Sequence, residues 1–125
     1  MEKILLDTNF LMIPAQFKVD IYSEIERIAD FKYELYVLDK SITELENIIK
    51  ERKGRTKEQA KLSLQLLKSK KPKVLKTTSE LHVDRIILDL GGYIVATQDL
   101  ALKRALKAKR VKIITLRQKK YLVIQ

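Results

Sequence analysis

Four carboxylates are the residues of this chain whose chemistry is most informative as a set: Asp7, Glu44, Asp84 and Asp99. Carboxylates gathered in one pocket repel one another by about 3 kcal/mol per pair at roughly 5 Å and an effective dielectric of about 20, so a cation must compensate them. The chain has no cysteine and a single histidine. Oxygen ligands suit Mg²⁺ or Mn²⁺, and such ions activate water for attack on a phosphodiester. Hydrolysis of a nucleic-acid backbone is the chemistry that this set predicts.

Each of these acids also has an ordinary structural interpretation. Asp7 and Asp99 follow apolar runs and could cap the helices that come next. Glu44 ends the sequence Ser41-Ile42-Thr43-Glu44, which is typical of a capping box. Asp84 could be a solvated helix residue. Spacing and residue type alone leave both interpretations open.

Apolar runs interrupted by turn residues predict the elements that would position the acids. A strand over 3–6 ends at Asp7, and a strand over 93–96 ends near Asp99. A strand over 35–38 precedes the helix that contains Glu44. Ligands bind beyond the carboxyl ends of parallel strands, so these three acids should meet at one edge of a sheet. The strand rule does not place Asp84, which we expect in a helix that starts at about Ser79.

The remaining segments predict a single domain over 1–125, a three-layer α/β/α arrangement with a largely parallel central sheet. Gly54 indicates a loop at 50–57, and Gly91-Gly92 indicates the end of a helix. The other predicted elements are a helix at 21–30, a leucine-rich helix before Pro72, a brief strand at 74–75, a helix from Asp99 to about Ala108, and strands at 111–116 and 121–124. Leucines of the helix at 60–67 fit either core burial or a homodimer interface.

The net charge of +10 is unevenly distributed. Acidic stretches at 1–49 and 77–99 alternate with basic stretches at 50–76 and 100–125, as expected for an acidic site flanked by surfaces that attract a polyanion. The candidates for RNA contact are Arg52, Lys53, Arg55, Lys103 and Arg104. The same lysines could simply solubilise exposed helix faces. Without cysteine, a signal peptide or an apolar run of about 20 residues, the chain is expected to be cytoplasmic, away from membranes.

Four short motifs resemble the sequence pattern of PIN-domain ribonucleases, in the family's order and over nearly the whole chain. They are Ile-Leu-Leu-Asp7-Thr8-Asn9, Ile42-Thr43-Glu44-Leu45, His82-Val83-Asp84-Arg85-Ile86-Ile87 and Val95-Ala96-Thr97-Gln98-Asp99. The resemblance implies a PIN-like fold and endoribonuclease activity with Mg²⁺ or Mn²⁺ held by the four acids. It also implies that Asn9 and Thr97 support them.

Within that family, residues 9–17, 19–21 and 99–104 resemble archaeal relatives of the small-subunit processome nuclease, which implies ribosomal RNA precursor as the substrate. VapC-type toxin ribonucleases, which act with an antitoxin partner, are the next most similar group. Arg85 departs from the processome pattern, which usually has a second acid there. A non-catalytic RNA-binding assembly factor is the third hypothesis.

Overall fold

The computed structural model describes residues 1–78 and 80–125, and these residues form an α/β domain around a six-stranded sheet. The strand order is β3-β2-β1-β4-β5-β6, parallel throughout except for the antiparallel β6. The strands are β1 (Glu2–Leu6), β2 (Tyr33–Leu38), β3 (Lys73–Leu75), β4 (Ile94–Ala96), β5 (Ile113–Arg117) and β6 (Tyr121–Ile124). The helices are α1 (Thr8–Leu11), α2 (Ile13–Phe17), α3 (Ile21–Ile28), α4 (Asp39–Glu51), α5 (Arg55–Ser69), α6 (Val83–Asp89) and α7 (Leu100–Ala108).

Both faces of the sheet are covered, so the predicted three-layer α/β/α architecture is confirmed. Successive residues of a strand point to opposite faces, and β1 divides its side chains accordingly. Ile4 and Leu6 pack into the core that α1 to α5 cover, whereas Leu5 packs into the core under α6 and α7. Burial on both faces explains why the central strands are short, continuous apolar runs.

The crevice at the carboxyl ends of β1 and β4 follows directly from this topology. The two strands are neighbours, with Leu6 opposite Ala96. The chain leaves β1 toward one face and leaves β4 toward the other. Such a divergence opens a cleft between the two connections, where doubly wound proteins bind ligands.

Two predicted boundaries are wrong. The polar segment 50–57 is not a loop: α4 continues to Glu51 and α5 begins at Arg55, which leaves a short connection with Gly54 at φ 68°. Lysine, arginine and glutamate are good helix formers on an exposed face, so polarity did not mark a loop. The helix expected from about Ser79 begins instead at Val83, and Ser79 itself lies outside the described residues.

Two further features complete the fold. In α5, Leu64 and Leu67 are buried, so core burial accounts for part of the leucine pattern, while Leu62 is 42% exposed. At the outer edge of β6, the backbone N–H of Leu122 donates to Glu24 Oε1 at 3.0 Å and its carbonyl accepts from Arg27 at 3.1 Å. None of the helices in the described part of the chain is long and apolar enough to cross a membrane.

Candidate active site

Asp7 is the most buried of the four predicted acids. It follows β1 directly, caps α1 and is only 6% exposed. Its Oδ1 accepts the Thr8 backbone N–H at 2.8 Å, and its Oδ2 accepts the Thr97 hydroxyl at 2.7 Å. Burial raises the pKa of this carboxyl, the two hydrogen bonds partly offset the effect, and the charges of Asp99 and Asp84 raise it further. Asp7 is therefore a rigidly held carboxylate whose negative charge lacks compensation.

Asn9 and Thr97, the predicted supporting residues, link the ends of β1 and β4. Thr97 Oγ1 donates to Asp7 and accepts the backbone N–H of Asp99 at 3.1 Å. Asn9 Oδ1 accepts the backbone N–H of Gln98 at 3.0 Å. These bonds fix the backbone that carries Asp99 against the one that carries Asp7, so the two acids share one hydrogen-bonded support.

Asp99 and Glu44 approach the same cavity from different helices. Asp99 is the N-cap of α7, and its Oδ1 accepts the Leu102 N–H at 3.0 Å. Glu44 lies in α4, where desolvation and then the charge of Asp7 raise its pKa, while the Thr8 hydroxyl lowers it. The charge of Asp7 thus acts on Glu44, and the charge of Asp99 acts on Asp7.

Asp84 lies in the first turn of α6, and its Oδ1 accepts the Arg85 N–H at 2.8 Å. The strand rule does apply to it after all, because β3 pairs in parallel with β2 and ends at the same edge of the sheet. The segment that follows β3 then leads to α6. Asp84 thus reaches the acidic edge from the side opposite to Asp99.

All four acids line one open cavity of about 920 Å³. Other cavity walls come from Lys40, Thr56, His82 and the apolar side chains of Met12, Ile48, Leu81 and Val83. Among the described residues, no three of the acids are close enough to form a ready-made cluster of metal ligands. The carboxylates surround a space instead of converging on a point, so an ion there would keep several of its waters, as Mg²⁺ commonly does.

The donor set and its electrostatics fit a hard divalent cation. Within the described ranges, the ion pairs involve none of the four acids. Asp7 and Glu44 both have raised pKa values in part because neighbouring carboxylates repel their charge. Oxygen-only ligands with an excess of negative charge are what Mg²⁺ and Mn²⁺ bind in proteins.

The structural interpretations of the acids have different outcomes. Asp7 and Asp99 do cap helices, and both also line the cavity. The capping-box interpretation of Glu44 is wrong, because α4 begins at Asp39 and Ser41 is buried inside the helix. Asp84 is exposed, as a solvated helix residue would be, but it lines the cavity as well.

The basic candidates for RNA contact fall into two groups around the cavity. Thr56 lines it, and the exposed Arg52, Lys53 and Arg55 precede Thr56 closely in the chain but are not among the described residues that line the cavity. In α7, which begins after Asp99, Arg104 is exposed, but Lys103 is partly buried and donates to Thr115 Oγ1 at 3.0 Å. Desolvation lowers the pKa of Lys103, with a further contribution from Lys107. Lys103 is thus partly engaged within the protein.

Sequence reasoning missed several residues of the cavity wall, among them Lys40, His82, Thr8 and a further carboxylate, Glu80. Lys40 comes just after β2, so the strand rule could have identified it. His82, to which the sequence assigned no role, precedes α6, and its positive charge lowers the pKa of Glu44. Thr8 is an ordinary turn residue by type, and only the fold reveals that it is buried beside Glu44.

The sequence of the chain matches the family described as "PIN like domain" over residues 4–119. It is 36% identical to ribonuclease VapC4 of Methanocaldococcus jannaschii, with 99% of this chain and 97% of the relative covered.

Two solved structures share the fold. The PIN domain endonuclease Utp24 superposes with a TM-score of 0.80 at 20% identity, covering 98% of this chain and 90% of that one. A domain of a functionally unknown protein from M. jannaschii superposes with a TM-score of 0.59 at 17% identity, covering 94% and 92%.

Proposed function

The chain belongs to the PIN-like domain family, and from that membership we propose that it is a metal-dependent endoribonuclease that hydrolyses RNA phosphodiester bonds. The observation that carries the proposal is the cavity at the carboxyl edge of the sheet. Four acids that are far apart in the sequence line it, and a fold that gathers uncompensated charge in this way pays a cost that a bound cation removes.

Asp7 and Asp99 would be the principal ligands of Mg²⁺ or Mn²⁺, with Glu44 and Asp84 completing the site. When bound, such an ion lowers the pKa of water and stabilises negative charge on a phosphodiester. The Thr8 N–H and the Thr97 hydroxyl each occupy one oxygen of Asp7 and leave further lone pairs for the cavity. Glu44, whose raised pKa favours proton uptake, is suited to accept a proton from the attacking water.

The basic rim supports RNA as the substrate. The exposed Arg52, Lys53 and Arg55 precede the lining residue Thr56 in the chain, and the exposed Arg104 follows the lining residue Asp99, so positive charge near both could contact the phosphates of a bound RNA. The 36% identical relative carries the name ribonuclease.

Two biological settings fit this activity. Processing of ribosomal RNA precursor is supported by the sequence resemblance at residues 9–17 and 99–104. A toxin ribonuclease controlled by an antitoxin is supported by the name of the VapC4 relative. Expression in a host cell separates the two, because a toxin arrests growth until its antitoxin is co-expressed, whereas a processing enzyme cuts precursor at defined sites without general RNA loss.

Arg85 departs from the processome pattern, and its side chain is engaged outside the cavity lining. Its guanidinium binds Asp89 at 3.3 Å along the exposed face of α6, and it is not among the described residues that line the cavity. The four acids of the proposed site are all present despite this departure.

The decisive experiment is cleavage of structured RNA with Mn²⁺ or Mg²⁺, comparing the wild type with Asp7→Asn and Asp99→Asn. The matched control is Asp30→Asn, an exposed aspartate away from the cavity. We expect cleavage by the wild type and the control, and loss in the two site variants. RNA binding without cleavage by all four proteins would instead support the non-catalytic assembly factor.

A further inference from the structure

One wall of the cavity depends on the segment between β3 and α6. Its final residues, Leu81 and His82, line the cavity and lead into Asp84. The described residues of 76–82 belong to no helix or strand. The position of Asp84 therefore depends on contacts that hold this segment to the rest of the domain.

Asp39, the first residue of α4, provides such contacts. Its Oδ2 accepts the Thr77 backbone N–H at 3.1 Å, and its Oδ1 accepts the Thr77 hydroxyl at 2.8 Å. The hydroxyl of Thr77, followed by its backbone N–H, lowers the pKa of Asp39. A carboxylate that accepts both donors of one residue fixes that residue more firmly than a single bond does.

The next residue of α4 holds the other end of the same segment. Lys40 Nζ donates to the Leu81 carbonyl at 2.9 Å. Asp39 and Lys40 thus contact residues 77 and 81 from the first turn of the helix that also carries Glu44. The placement of Asp84 is coupled in this way to the placement of Glu44.

We propose that Asp39 is a positioning residue, which holds the described residues between β3 and α6 through Thr77 and so sets where Asp84 lies relative to Glu44. Asp39 is not among the described residues lining the cavity, so it acts through these contacts and does not touch substrate. The consequence for RNA cleavage rests on the proposed function. The consequence for cation binding rests on it as well, whereas the consequence for the order of the segment does not.

Asp20 offers a matched control. It also begins a helix, and it also accepts a hydroxyl and backbone N–H groups, from Ser23 and Tyr22. It does not line the cavity. A change at Asp20 therefore reproduces the loss of a helix-end carboxylate without disturbing the segment that leads to Asp84.

The test compares Asp39→Ala, Thr77→Val, Thr77→Ser and Asp20→Ala. Mn²⁺ alone is titrated while the melting temperature is followed, and hydrogen exchange is measured over 76–84. We expect Mn²⁺ affinity to fall about 10- to 100-fold in Asp39→Ala and Thr77→Val, as for other partners that orient metal ligands. Thr77→Ser, which keeps the hydroxyl, and Asp20→Ala should keep wild-type affinity. A double variant that combines Asp39→Ala with Thr77→Val should bind Mn²⁺ no more weakly than Asp39→Ala alone, because Asp39 and Thr77 act as one unit.

Measurements of RNA cleavage then distinguish the positioning role of Asp39 from the proposed nuclease function. If the wild type cuts RNA, Asp39→Ala should lower kcat about 10- to 100-fold with KM for RNA within about twofold of the wild type. Faster exchange and weaker Mn²⁺ binding without any cleavage by the wild type would support the positioning role and contradict the proposed function. If Asp39→Ala and Asp20→Ala lower only the melting temperature, Asp39 is a helix cap and the positioning role is wrong.

Discussion

The two sides of the cavity are built in different ways. On the side of β1 and β4, Asp7 and Asp99 stand at the ends of central strands, and Thr97 joins them through short hydrogen bonds. On the side of β3, Asp84 is exposed, and its approach depends on side chains of α4 that hold an irregular segment. Central strands buried on both faces leave little freedom to the first pair. The sheet therefore fixes one half of the site, and a helix start fixes the other.

The largest expected effect is on RNA cleavage, and it compares an acid from each side of the cavity, Asp7 and Asp84. Asp7→Asn should reduce RNA cleavage about 10²- to 10³-fold, since a catalytic cation contributes several kcal/mol to the transition state and each 1.36 kcal/mol is about tenfold. Asp84→Asn should reduce it less, because Asp84 is exposed and less constrained. Initial rates at saturating Mn²⁺ measure both. Equal reductions of the cleavage rate in the two variants would show that the burial of an acid does not determine its contribution to catalysis.

The next effect concerns the support of the buried pair. Thr97→Val removes the hydroxyl that donates to Asp7 and accepts from the Asp99 N–H, leaving one buried and one partly buried polar group without that partner. The free energy of unfolding should fall by about 1–3 kcal/mol, and cleavage by about 10- to 100-fold. Denaturant unfolding and cleavage rates measure these changes. Thr97→Ser is the control, and a valine variant as stable and active as the serine one would remove Thr97 from the support.

A third effect is that the two sides should respond to pH in opposite directions when no cation is present. Asp7 and Glu44 have raised pKa values, so their protonation favours the folded state, and this contribution is lost as pH rises from the ordinary carboxyl value through the raised one. Asp39 has a lowered pKa, so its contribution is present above the ordinary aspartate value of 3.8 and is lost as pH falls through the lowered one.

Melting temperatures in EDTA across acidic to neutral pH test this contrast. Asp7→Asn should flatten the decrease in stability that accompanies rising pH, and Mn²⁺ should reverse that decrease in the wild type, because a cation bound only by the folded state stabilises it. Asp39→Asn should leave the decrease intact. A pH profile that Asp7→Asn does not change would contradict the raised pKa of Asp7.

The smallest expected effect concerns the rim. Replacing Arg52, Lys53 and Arg55 with glutamine should weaken RNA binding, with a decrease of up to about 2 in the slope of log affinity against log salt, at about 0.7 per lost contact with single-stranded RNA. Fluorescence anisotropy over a salt series measures it. The control replaces Lys32, Lys109 and Lys112, which lie at the amino ends of the strands. Equal losses in both variants would mean that net charge, not location, attracts RNA.

Much of the fold could be predicted because segments that are buried in the structure consist of apolar residues in the sequence. The buried strands β1, β4 and β5 are apolar runs, and Asp7 and Asp99 follow two of them. The carboxyl-edge rule therefore predicts from the sequence alone that these two acids lie at one edge of the sheet. Their assignment as metal ligands stays a prediction.

The arrangement on the side of β3 could not be predicted from the sequence, for a physical reason. The bonds between Asp39 and Thr77 join residues that are 38 positions apart, and they form only because β2 and β3 are parallel neighbours. β3 has just three residues and an exposed Val74, so its sequence gives a weak signal. The late start of α6 at Val83 has the same origin, because tertiary contacts of residues 77 and 81 hold the preceding segment out of the helix.

The contacts of Leu122 have a consequence for how copies of this protein meet. Glu24 and Arg27 satisfy both of its backbone groups on the outer side of β6, so an added strand from another chain would have to displace an ion pair there. Intermolecular strand pairing is thereby directed to the opposite margin, β3, where Lys71 and Lys76 repel an approaching copy, while Lys73 pairs with Glu34. Hydrogen bonds at Leu122 oppose strand addition at β6, and positive charge opposes it at β3. Both features discourage aggregation through the edges of the sheet.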